Sequence, residues 1–151
     1  MYGQGNANAE PEHLDAATCA EALRAACTPD SKWQQHTMLF GLSHDVNHTL
    51  SQLAEDVAFF LLARGPYAYV GWSSWGMGWP FNPEPAHGTL PAIPSGVPVP
   101  VQWRADYGVP SHAVCRETEP GKSGIFTREW TKASVRLDCG AFQGSVVPKR
   151  E

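Results

Sequence analysis

The chain has 151 residues, 42% of them hydrophobic and 11% aromatic, which is enough apolar material for one modest core and argues against wholesale disorder. Its formal net charge is −4, from 11 basic and 15 acidic residues, and the basic residues form no patch, so no nucleic-acid partner is expected. The longest apolar run, Val57 to Ala63, has seven residues, far short of the roughly 18 of a membrane span, so no membrane partner is expected either.

Residues 1–36 read as a polar tail followed by a helix. Asp15 can cap that helix, which runs to about Cys27 with Leu14, Leu23, Ala26 and Cys27 as apolar positions, and Thr28-Pro29-Asp30 stops it. Thr37 to Leu42 is a short apolar run with polar flanks, the pattern of a strand buried on both faces. A second helix follows, with Asn47 or Thr49 as cap and Leu50, Leu53, Ala54, Val57, Ala58 and Leu61 at three-four spacing. Arg64 opposes the negative end of its dipole, Gly65 offers a left-handed stop, and Pro66 prevents continuation.

Tyr67 to Trp72 is aromatic and β-branched and reads as a second strand, completing a parallel strand–helix–strand unit. From Ser73 to Ala105 seven prolines and four glycines interrupt any period, and a loop this long is functional or disordered. Gly124 to Trp130 and Ala133 to Cys139 then flank Thr131-Lys132 as a β-hairpin, although Thr-Lys is not a favoured turn pair. Residues 141–151 read as a tail.

Three of these elements carry a resemblance. The stretch Phe59 to Trp72 has a helix ending Leu62-Ala63-Arg64-Gly65, an aromatic strand and a Gly/Trp-rich continuation. Asp106-Tyr107-Gly108-Val109-Pro110 follows, and then Gly124-Ile125-Phe126-Thr127-Arg128-Glu129-Trp130. In order and spacing they resemble the C-terminal end of a glycoside-hydrolase-like family of β/α barrels. The resemblance implies an α/β fold, a partial TIM-type β/α barrel made of the last βαβ unit plus a C-terminal hairpin, over residues 37–140. Thr37 to Leu42 would be about the seventh barrel strand and Tyr67 to Trp72 about the eighth. A complete barrel needs about 250 residues, so the missing part of the barrel is an expected partner, without which the second helix keeps an uncovered apolar face.

Glycoside hydrolysis needs two carboxyls across one bond, about 5 Å apart for retention or about 6.5–9.5 Å for inversion. Asp45, just past the first strand, is the candidate catalytic residue, with helix capping as its plain alternative. Glu84 and Asp106 lie in or beside the long loop and can reach the barrel mouth, whereas Glu55 and Asp56, on the following helix, point away from it. His44 and His48 are spaced i, i+4 but lack a Glu and a third ligand, so no metal and no cofactor are expected. Asn47-His48-Thr49 matches a glycosylation sequon, which matters only in a secreted chain.

Sugars present apolar C–H faces that stack on aromatic rings, and Trp72, Trp75, Trp79 and Tyr107 are the candidate substrate-binding residues. For Trp75 and Trp79, anchoring of the proline-rich loop is an equal alternative. Tyr67 and Tyr69, inside the strand, are expected to pack. Arg128 and Glu129 adjoin in a strand, point to opposite faces, and are expected to stabilise the hairpin. Four cysteines look too few and too scattered for a disulfide scaffold, though Cys115 and Cys139 bracket the hairpin and can bridge in an oxidising compartment. The reading is thus a glycosidase remnant acting on O-glycosidic bonds, inactive alone. The alternatives are a non-catalytic carbohydrate-binding or interaction module using the aromatic loop, and a relic with no function.

Overall fold

The computed structural model describes residues 15–36, 38–41, 52–71 and 101–150. In chain order these form α1 (Ala16–Ala26), α2 (Lys32–Gln35), β1 (Met38–Gly41), α3 (Leu53–Ala63), β2 (Ala68–Gly71), α4 (Val101–Arg104), β3 (Arg116–Glu117), β4 (Ile125–Glu129), β5 (Ala133–Asp138) and β6 (Gln143–Pro148). Strands β1 and β2 pair in parallel, Met38 opposite Ala68 and Gly41 opposite Gly71. The larger sheet is antiparallel, in the order β3-β4-β5-β6.

The expected strand–helix–strand unit and hairpin are both present, but the partial barrel is not. In a barrel, the crossover helix lies over the parallel sheet it connects. Here α3 packs on β4, β5 and β6 of the antiparallel sheet, with α1 on another side. Every residue of α3 from Asp56 to Ala63 is buried, the behaviour of a helix apolar all round. The face expected to need the rest of a barrel is therefore covered from within this chain. Residues 141–151, read as a tail, supply the edge strand β6.

Asp15 caps α1 as expected, accepting from the N–H groups of Ala17 and Thr18 at 3.0 Å each. Cys19, Ala20, Leu23 and Ala26 form its buried face. The pairing of Cys115 with Cys139 does not occur. Cys19 bonds Cys139 and Cys27 bonds Cys115, with Cα separations of 5.6 and 4.8 Å. Cys139 follows β5 and Cys115 precedes β3, so the two bridges fasten the two ends of α1 to the sheet. The cysteines looked scattered because each pairs with one 120 or 88 residues away.

The hairpin alternates as its period requires, with Phe126, Arg128 and Trp130 inward from one strand and Ala133, Val135 and Leu137 from the other. Its Thr131-Lys132 turn does not stand alone. Residues 106–111 run over it as a strap, and the carbonyls of Val109 and Tyr107 accept from the N–H groups of Thr131 (2.9 Å) and Lys132 (3.2 Å). Gly108 has φ +77°, and a β-carbon there would collide with Thr131 Oγ1, so the strap requires glycine at that point.

Arg128 is the exception in the apolar layer. It is 3% exposed, and its guanidinium donates to backbone carbonyl oxygens. Nη1 donates to Leu61 (3.3 Å), Leu62 (3.0 Å) and Arg64 (2.6 Å), while Nη2 donates to His112 (3.4 Å) and Ala113 (2.5 Å). A helix leaves its last four carbonyls without partners, and α3 has all four satisfied. Arg64 N–H takes Phe60, Arg128 takes Leu61 and Leu62, and the Gln34 side chain takes Ala63 at 3.3 Å. Gly65 is not a left-handed stop, because its φ is not positive. It is small because its β-carbon would sit 2.6 Å from the Trp33 carbonyl oxygen.

Burial, and then the charge of Arg64, pulls the Arg128 guanidinium down to about 10, so it remains cationic at neutral pH. Replacing Arg128 with Lys, whose single ammonium cannot fork between α3 and the 112–113 backbone, is expected to cost about 2–3 kcal/mol of stability. Guanidinium unfolding under non-reducing conditions measures it. A loss below ~0.5 kcal/mol would show that other donors can serve these carbonyls.

Candidate functional site: the tyrosine-bearing strand and its anchor

The three sequence elements that lie far apart in the chain meet at one junction. The end of α3 is gripped by Arg128 of β4, and the Arg64 guanidinium lies over the rings of Phe60 (5.7 Å) and Trp130 (5.5 Å). Arg128 itself stacks on Trp130 at 5.4 Å. Asp106 to Pro110 forms the strap over the hairpin turn, where Pro110 bridges to Trp130, and Asp106 pairs with Lys132 at 2.5 Å. The motif residues therefore hold the fold together at this point.

Of the candidate site residues, Asp45, Trp72, Trp75 and Trp79 lie outside the described residues, as do His44, His48 and Glu84. Tyr107 is half-buried against the core. Its hydroxyl donates to the Gln102 carbonyl at 2.7 Å, and burial raises its pKa. That ring serves the strap before it serves a ligand.

Three carboxylates, Glu117, Asp106 and Glu129, have their pKa lowered by their donors. Glu117, its side chain 6% exposed, accepts from Arg24 Nε (3.0 Å) and Nη2 (2.7 Å) and from the N–H groups of Gly121 (2.6 Å) and Gly124 (2.8 Å). Chiefly through Arg24, these donors hold its carboxyl down to about 2. Lys132 lowers Asp106, and Lys149 with Ser134 lowers Glu129. A general acid in glycoside hydrolysis needs the opposite, a carboxyl raised towards neutrality. Among the described residues no group of three His, Cys, Asp or Glu side chains could hold a metal ion.

One surface departs from expectation. Tyr67 and Tyr69, expected to pack, are 55% and 57% exposed. Ala68 between them is 8% exposed and belongs to the core. Tyr69 lies in β2 and Tyr67 in the turn just before it, so the two exposed rings flank the buried Ala68 in the chain. The signal was in the Tyr-Ala-Tyr order itself, with large rings at i and i+2 around a small residue. Compared with family models and with curated proteins, the chain matches none.

The Glu117 geometry has a pH consequence. Its folded carboxyl titrates at about 2 against an ordinary 4.5, so the stabilisation is complete above about 4.5 and is lost as pH falls from there towards about 2. Denaturation midpoints across this range should fall steeply for the native chain and less so for Glu117→Gln. Parallel acid limbs for the two would remove Glu117 as the cause.

Proposed function

We propose that the chain is a non-catalytic carbohydrate-binding segment of a glycoside-hydrolase-like protein. The observation that carries this reading is the exposed pair of Tyr67, in the turn before β2, and Tyr69, within it, at the start of the segment that also holds Trp72, Trp75 and Trp79. Phenol rings offer a flat apolar face to the C–H side of a sugar and a hydroxyl to its polar edge. Exposed tyrosines that support no core have little packing reason to be large.

The commitment of Asp106, Glu117 and Glu129 to Lys and Arg donors supports the non-catalytic part of the proposal. So does the use of the resembling elements as a structural junction. The competing reading gives Asp45 a catalytic role within a larger glycosidase.

A glycan panel distinguishes them. The chain is expected to bind extended neutral glycans without hydrolysing them. Tyr67→Ala/Tyr69→Ala should weaken binding by roughly 5- to 150-fold, from about 1–3 kcal/mol for two rings, with little change in melting temperature. Trp75→Ala/Trp79→Ala tests the neighbouring segment. Turnover by the native chain that disappears in Asp45→Asn would establish the enzymatic reading instead, and binding indifferent to both double substitutions would end the aromatic one.

A further inference from the structure

The two disulfides differ in access. Cys19 (0% exposed) and Cys139 (2%) both sit in the core, so a reductant reaches neither sulfur without opening the fold. Cys115 is also buried, at 3%, but its partner Cys27 is only half-buried, at the C-terminal cap of α1. Leu23 and Ala26 keep that end of α1 in the core, and beyond them its ties are polar. Arg24 pairs with Glu117 at 2.7 Å with its own side chain 41% exposed, and the Gln34 amide reaches the Ala26 carbonyl at 3.2 Å and that of Ala63 at 3.3 Å.

We infer that Cys27–Cys115 is a reducible clasp, and that Cys19–Cys139 is the permanent staple that keeps α1 attached when the clasp opens. The chemistry is ordinary thiol–disulfide exchange with a protein or small-molecule dithiol. A thiolate of the dithiol attacks Cys27 Sγ, the Cys27–Cys115 bond breaks, and Cys115 leaves as a thiolate and takes a proton. The second thiol of the reductant then attacks its own sulfur in the mixed disulfide, closing the oxidised dithiol and releasing Cys27 as a thiol. Two electrons and two protons pass from reductant to protein.

Opening frees the α1 C-terminus together with α2, whose Trp33 rests edge-on against Phe59 at 6.3 Å. The antiparallel sheet keeps its own hydrogen bonds. The result is a local opening at the end of α3, short of unfolding. In an oxidising compartment the clasp stays shut; on meeting a reductant it opens first.

The test is reduction of the full oxidised chain by dithiothreitol under native conditions, with pulses of alkylating agent and mass spectrometry of each cysteine. Cys27 and Cys115 should become labelled together, on the order of tenfold faster than Cys19 and Cys139. Amide exchange should rise across residues 24–36 while 125–138 stay protected. Equal rates for the two pairs, or earlier loss of Cys19–Cys139, would overturn the inference. Cys27→Ser/Cys115→Ser should fold to a cooperative state with the same local rise in exchange. A variant that cannot fold would likewise count against a dispensable clasp.

Discussion

One buried cation, Arg128, organises the described part of this molecule. Five backbone carbonyls from two separate segments converge on the Arg128 guanidinium. Burying a charge is costly unless hydrogen bonds replace its water, and here the helix itself supplies the compensation. The C-terminal end of α3 concentrates partial negative charge in carbonyls that lack intrahelical partners, and Arg128 meets that end head-on. The apolar character of α3 makes this arrangement possible. A helix buried along Asp56 to Ala63 cannot expose its last turn to solvent, so donors must come from the protein.

The covalent frame answers a different problem. The sheet β3–β6 covers one side of α3, but α1 is a short Ala-rich helix whose apolar face is modest. Loop closure by each of its bridges, taken alone, is worth about 4–5 kcal/mol in the chain-entropy account. The two loops are nested, since residues 27 and 115 lie between 19 and 139, so the second closure adds less than the first. Cysteine pairing thus holds α1 over the core more firmly than its own packing surface would.

The sequence was most legible where local rules decide. The Asp15 cap, the alternation of the hairpin and the parallel pairing around α3 follow from cap chemistry and period, and the structure has them all. What failed was whatever depended on a distant neighbour. Gly65 looked like a helix stop, but its size matters for the approach of Trp33. Gln143 to Pro148 looked like a tail because an edge strand exposed on one side has no strong apolar period; its residues alternate only between exposed and half-buried. Thr131-Lys132 lacked turn chemistry because the 106–111 strap supplies the bonds. Tyr107 lies within the strap, a position that reflects packing that spacing alone does not encode.

The misjudged tyrosines connect these points. An aromatic strand inside a barrel sheet would be covered on both faces, which is why Tyr67 and Tyr69 were expected to pack. Here Ala68 is buried while Tyr67, in the turn before β2, and Tyr69, within it, are both exposed. Their placement still depends on Arg128. The Arg64 carbonyl it holds at 2.6 Å is three residues before Tyr67, and the Gly65 carbonyl accepts from the Ala68 N–H at 3.4 Å. The link between α3 and β2 is therefore short and fixed at its start. On the proposed carbohydrate-binding reading, rings presented from such a link would lose little conformational freedom on binding, and the less ordering a site requires, the more of its contact energy appears as affinity. The cation that closes the helix also sets the exposed aromatic pair in place.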